Sequence, residues 1–313
     1  PRRVGAALVK ARAELRRDPA TGEARLSSLL TDSKDPILRR TLLGLLGLAA
    51  SLRQSPSEAI ARWTEAWTQT EAGLPLPAFL PPGPTVTAPD EVSVPRLLCL
   101  FPGVQGDAIC AALAESAPVV IDRFGVNARN DGLGPLRPKD GHHGEQGADA
   151  IWRAKLAERG QTEAQVIDVL PHVDAEIFSA LPHSRLVVAL ADPRDMLLNW
   201  LAFGSAQRFA VLPLTHAASW LAQGINLVLD LQQSTPERIH LLRSDALDAD
   251  PLAALAEAAG FWALETSPSQ FMPVNPGALA QHMSLGQWRA YSDVLAEPFA
   301  ILAPVAARLG YSD

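Results

Sequence analysis

The stretch Leu186–Trp200, LVVALADPRDMLLNW, passes from one backbone period to another within a few residues. Leu186 to Leu190 is an unbroken apolar run, Ala191 to Asp195 is a corner containing Pro193, and Met196, Leu197 and Trp200 then recur at helical spacing. The pattern reads as strand, turn, helix. In an open α/β sheet the carboxyl end of a strand and the first turn of the following helix face the ligand crevice, where free backbone N–H groups suit an anion. One wall of any nucleotide-type site is expected here.

Working outward, the same alternation runs through most of the chain. Leu97–Phe101 reads as a buried strand, Pro102–Gly106 as a tight loop and Asp107–Glu115 as a helix, with Val119–Ile121 as the next strand. Residues 125–147 are rich in Gly, Asn, Asp and charge and read as a long surface loop; its His142–His143 pair has no third ligand nearby, so no metal site is expected. Further strands are predicted at Val166–Leu170, Arg185–Leu190 and Ile239–Leu242, and helices at Ala148–Arg159, Val173–Leu181, Asp195–Gln207, Leu214–Gln233 and Pro251–Gly260, the last capped by Asp250, with one or two more in Leu285–Leu309. Strands alternating with helices imply a mainly parallel sheet covered on both faces.

Residues 1–72 carry helical periodicity and no strand pattern, and residues 73–95 hold a run of prolines that no helix can continue. Leu74, Leu76, Phe79 and Leu80 make that connector too apolar to hang free, so it is expected to lie against one of the domains. The division is a helical domain over 1–72, a Pro-rich connector over 73–95 and an α/β domain over 96–313. The 313 residues suffice for this, since domains usually run to about 100–200 residues.

Composition narrows the function classes. Apolar residues make up 48% and charged ones 19%, and no window resembles a membrane span. Lys10, Arg12 and Arg16 interrupt the apolar start before a signal-peptide core forms, which points to a cytoplasmic protein. Abundant Ala, Leu, Pro and Arg suggest a GC-rich bacterial source. A net charge of −7 and a pI near 5.5 argue against general nucleic-acid binding. Cys99 and Cys110 fall in apolar surroundings and read as buried thiols, neither a disulfide framework nor a metal site.

Two resemblances follow. LLGLAASLRQSPSEAIARWTEAW resembles a tetratricopeptide repeat, with Leu46 and Gly47 in a first helix and Ala59, Trp63 and Ala66 in a second, capped by Ser55 or Ser57; Ala24 stands 35 residues before Ala59, as an echo one repeat earlier. Over residues 97–311, four segments in order resemble the PAPS-dependent sulfotransferases, in particular the bacterial type with N-terminal tetratricopeptide repeats that is similar to protein-tyrosine sulfotransferases. They are VIDVLPH (166–172), LPHSRLVVALADPRDMLLNW (181–200), RIHLLRSDALDADPLAALAEAAGF (238–261) and SLGQWRAY (284–291). The resemblance implies a P-loop-like parallel-sheet sulfotransferase fold preceded by a small TPR-like all-α domain. It also implies a cofactor, PAPS, and a sulfuryl transfer to a hydroxyl acceptor.

PAPS brings two anionic ends, and such a site needs backbone N–H donors and fixed cations. By the resemblance, Gly103, Gln105, Gly106 and Asn199 fall in the cofactor site and Asp122 lies near the family's general base; His172, next to Pro171 at a strand end, is the other candidate base, by residue type alone. The positions where the family carries cations hold Val104, Val169 and Ala191 instead, and Asp107 stands where the family has a threonine. Each charge-assisted hydrogen bond lost is worth about 1.5–3 kcal/mol, enough together to push a micromolar site into the millimolar range. Asp192 is expected to cap the helix that opens at Pro193, Arg194 and Asp195 to form surface or interdomain ion pairs, and Trp288 and Tyr291 to be core. Two readings stand: an active sulfotransferase, and, favoured by the missing cations, a non-catalytic binding or scaffolding protein whose helical repeats meet a protein partner.

Overall fold

A computed structural model of the chain describes residues 2–69, 73–82, 94–121, 147–162, 166–205, 208–272 and 282–312. The N-terminal part is four helices: α1 (Arg2–Arg17), α2 (Pro19–Asp32), α3 (Pro36–Leu52) and α4 (Pro56–Thr68). Two of them open with an Asp–Pro pair, in which the carboxylate of Asp18 or Asp35 accepts first-turn N–H groups and the proline fills a position that needs no donor. Ser55 occupies the N-cap of α4 but its hydroxyl makes no capping bond. Helices α3 and α4 pack so closely that a Cβ on Gly47 would sit 2.3 Å from the Trp63 indole nitrogen, and Ala59 is fully buried beside them.

The rest is α/β, as the pattern of the sequence predicts. Strands β1 (Arg96–Leu100), β2 (Val119–Val120), β3 (Ile167–Leu170), β4 (Arg185–Leu190) and β5 (Ile239–Arg243) form one parallel sheet in the order β2-β3-β1-β4-β5. The helices are α5 (Gly106–Leu113), α6 (Gly147–Ala157), α7 (Ala175–Ala180), α8 (Pro193–Phe203), α9 (Leu214–Ser234), α10 (Ser244–Ala249), α11 (Pro251–Phe261) and α12 (Ala296–Arg308), with a short 3-10 turn at Gln287–Tyr291. Helix α10 has too few residues to show an apolar period and is absent from the sequence prediction. Helix α8 opens at Pro193 behind its Asp192 cap, as the Asp–Pro pair predicts, and stops at Gly204, which has a positive φ, short of the expected end at Gln207.

Alternation along the central strands sorts the core into two layers. Leu97, Cys99, Leu186, Val188 and Leu190 face one cluster with α7, α8, α9 and α12, while Leu98, Leu100, Val187 and Ala189 face another with α5 and α11. Both cysteines are free and buried; burial raises both thiols, Cys110 to about 12.

Residues 73–82 of the connector lie against the α/β part, in keeping with their apolar side chains. Leu74 pairs with the Phe209 segment through N–H···O bonds of 2.8 Å in both directions, and the Trp220 indole donates to the Pro77 carbonyl at 2.8 Å. Phe79 packs on Trp220 with ring centroids 5.2 Å apart. The helical part is joined to the sheet part by apolar contact too: Trp63 and Trp67 belong to the same cluster as the sheet, the Trp67 indole donates to the Leu201 carbonyl at 2.9 Å, and the Tyr291 hydroxyl donates to Ser51 Oγ at 2.7 Å.

Candidate functional site

Strand order fixes where a ligand crevice can open. From β1 the chain leaves toward β3 and β2, whereas from β4 it leaves toward β5, so the connections diverge between neighbouring β1 and β4. A crevice at such a switch point lies beyond the carboxyl ends of the two strands. Its walls here are Phe101–Gly106 after β1 and Ala191–Asp195 after β4.

The β1 loop presses directly on α8. Gly103 has φ +87°, and a Cβ there would come within 1.9 Å of the Met196 carbonyl oxygen, so only glycine fits this contact. Val104 is half-buried and touches both core layers. Gln105 occupies the N-cap of α5 without a side-chain capping bond, and its buried Oε1 has no hydrogen-bond partner among the described residues. Asp107 lies exposed in the first turn of α5.

The β4 corner is occupied by its own chemistry. Asp192 caps α8, its Oδ1 accepting the Arg194 N–H at 3.0 Å. The same carboxylate takes a bidentate pair from the Arg194 guanidinium, at 3.0 Å from Nε and 2.9 Å from Nη2. Nη2 also donates to the Ser312 carbonyl at 3.0 Å, and the guanidinium lies 3.6 Å from the centre of the Trp288 ring. Surface or interdomain pairing of Arg194 with Asp195 is therefore corrected: both are buried, and Arg194 pairs with Asp192 inside the α/β part.

Asp195 instead accepts the N–H groups of Gly286 at 2.6 Å and Trp288 at 2.9 Å. Burial pushes its carboxyl up to about 6, against the pull of those donors. One turn further, Asn199 Oδ1 accepts the Met283 N–H at 2.7 Å, and its Nδ2 has no partner among the described residues. The face of α8 that begins at the crevice thus holds the segment Met283–Trp288 in place. His282 completes the arrangement with a 2.9 Å bond between Nε2 and the Gly103 carbonyl; burial lowers its pKa.

Of the sequence candidates, Gly103, Gln105 and Gly106 follow β1, and Asn199, on the second turn of α8, is tied to that loop through Met283 and His282. Val104 is half-buried, Val169 is half-buried on β3, and Ala191 is fully buried. His172 lies fully buried, 5.6 Å ring to ring from Phe79 under the connector, with Nε2 3.9 Å from Asp174 Oδ2. Asp168 is buried and accepts the Trp152 indole N–H at 3.0 Å. Asp122, His142 and His143 lie outside the described residues. Among the described residues no His, Cys, Asp and Glu group has the makings of a metal site. His282 was missed by the sequence reading; its only signal was its place just before the SLGQW segment.

No protein-family model and no curated protein matches this chain. Among solved structures it is similar to a sulfotransferase from Alicyclobacillus acidocaldarius, with 12% identity, 71% of this chain and 98% of that one covered, and a TM-score of 0.38. The sulfotransferase domain of the Synechococcus PCC 7002 olefin synthase gives 12% identity, 72% and 98% coverage and a TM-score of 0.42. A retinol dehydratase in complex with retinol and PAP gives 10% identity, 67% and 80% coverage and a TM-score of 0.35.

Proposed function

We propose that this chain is a sulfotransferase-like protein whose cofactor crevice no longer takes PAPS, and that it works as a non-catalytic binding or scaffolding protein. The observation that carries the reading is the use made of Arg194. This cation stands at the crevice corner, yet its guanidinium is committed to Asp192, to the Ser312 carbonyl and to the Trp288 face, and it is almost wholly buried. A charge already neutralised in a bidentate pair has little left for a phosphate.

The neighbouring residues point the same way. Where the resemblance calls for cations, Val104, Val169 and Ala191 offer apolar surface, and the nearby Asp107 and Asp195 carboxylates disfavour an anion. The donor set therefore does not fit a 5′-phosphosulfate and a 3′-phosphate. The competing reading, an active enzyme, keeps one observation in its favour: the Asn199 Nδ2 group has no partner among the described residues and leaves one donor at the corner.

Calorimetric titration with adenosine 3′,5′-bisphosphate, the desulfated cofactor, tests the proposal. No binding up to millimolar concentration is expected. A micromolar dissociation constant would overturn it and restore the enzyme.

A further inference from the structure

A second concavity lies away from the crevice, between α1, α3, α4 and the C-terminal end of α8. Its volume is about 610 Å³, within the roughly 300–1,000 Å³ typical of pockets that enclose a small molecule. Leu48, Trp63 and Trp67 form its floor, and the exposed apolar side chains of Val9, Ile37 and Phe203 stand among its lining. The described lining holds no aspartate or glutamate, although the chain as a whole carries a net charge of −7. It does hold three arginines, Arg12, Arg16 and Arg40.

Two of these three charges are uncompensated among the described residues. Arg40 stacks on Trp67, its guanidinium 4.4 Å from the ring centre. Arg12 and Arg16, one helical turn apart on α1, are exposed and have no hydrogen bond or ion pair among the described residues. Glu14 between them is turned to Arg25, which it binds at 2.9 Å. Two like charges at this spacing cost a helix stability, so the fold gains nothing from the pair. An anion brought to them gains charge-assisted hydrogen bonds, and an apolar body attached to that anion gains burial against the tryptophans.

We propose that this groove binds a small amphiphilic carboxylate, an alkyl chain lying on Trp63 and Trp67 with its carboxylate against Arg12 and Arg16. The dimensions favour a small molecule over a helical peptide. Its volume lies in the small-molecule range, and the lining gathers residues of α1, α3, α4 and the end of α8 around one spot, whereas a docked helix needs a track for anchors spaced over two turns or more. The site is distinct from the crevice, so the inference goes beyond the function proposed above and does not depend on it.

Sodium decanoate titrated into the full chain at neutral pH tests this, with decanol as the uncharged control. Decanoate is expected to bind in the micromolar range and decanol about tenfold or more weaker. The Arg12→Gln/Arg16→Gln variant should bring the two ligands to equal affinity. A second variant, Gly44→Leu, keeps the test independent of charge. Gly44 lines the groove, a Cβ there meets nothing within 4 Å, and leucine is a better helix former than glycine, so the variant should fold and abolish binding of both ligands. Equal wild-type affinity for decanoate and decanol, or unchanged binding by Gly44→Leu, overturns the proposal. So does a dimer in sedimentation that Gly44→Leu dissociates, since the occupant would then be a second copy. Tighter binding of a Leu- and Glu-rich peptide than of decanoate overturns it in favour of a protein partner.

Discussion

The two ends of α8 put the same residue types to opposite uses. At its start, Asp192, Arg194, Asp195 and Asn199 are buried and bonded to one another or to the C-terminal segment that crosses them. At its far end, Leu201–Gly204 face a groove in which Arg12 and Arg16 have no partner among the described residues. Charge that is buried and paired holds a structure together, and removing one member leaves the other stranded. Charge that is exposed and unpaired does nothing for the fold and is available to a ligand. The crevice that strand order marks as the site is thus the end where polar groups serve architecture.

Substitutions at the two ends should separate these roles. Arg194→Met should have the largest effect, about 3–5 kcal/mol in urea unfolding, because it leaves the buried Asp192 carboxylate uncompensated. Gly103→Ala should follow at about 3–4 kcal/mol, since the methyl meets the Met196 carbonyl in a left-handed backbone; overpacking and strain add there. A loss below about 1 kcal/mol in either would mean that the β1 loop and the corner are not packed as described.

Asp195 gives a pH signature. Its folded pKa, about 6, exceeds the ordinary value of 3.8, so the folded state holds the proton more tightly than the unfolded one. The resulting stability is complete below about pH 4 and is lost as pH rises through 6, a fall of about 2–3 kcal/mol. Asp195→Asn should remove that slope from thermal unfolding curves taken across this range; an unchanged slope would assign it to other groups. At the opposite end, Arg12→Gln/Arg16→Gln should shift stability by no more than about 0.5 kcal/mol. A larger loss would show that these arginines serve the fold after all and would erase the contrast.

Much of this was legible in the sequence because it is local. An apolar run followed by Asp–Pro and then Met196, Leu197 and Trp200 dictates strand, cap and helix, and the same Asp–Pro signal opens α11 at Asp250. The proline-rich stretch ends the helical part, and its apolar residues foretell contact with the sheet part, which Phe79 and Trp220 make. What escaped is long-range. Asp195 meets Gly286 and Trp288 across 91 and 93 residues, and His282 meets Gly103 across 179. No periodicity reports such pairs, so Arg194 and Asp195 looked like surface charges. The groove was hidden for the same reason: Arg12 and Arg16 read only as breaks in an apolar start until α3 and α8 closed around them.

Hydrogen exchange at the backbone amides of Met283, Gly286 and Trp288 tests the central claim most directly. If the start of α8 serves the fold, these amides, bonded to Asn199 and Asp195, should exchange slowly, and saturating adenosine 3′,5′-bisphosphate should leave their rates unchanged. Rapid exchange that slows on adding the nucleotide would contradict the account and return the corner to ligand binding.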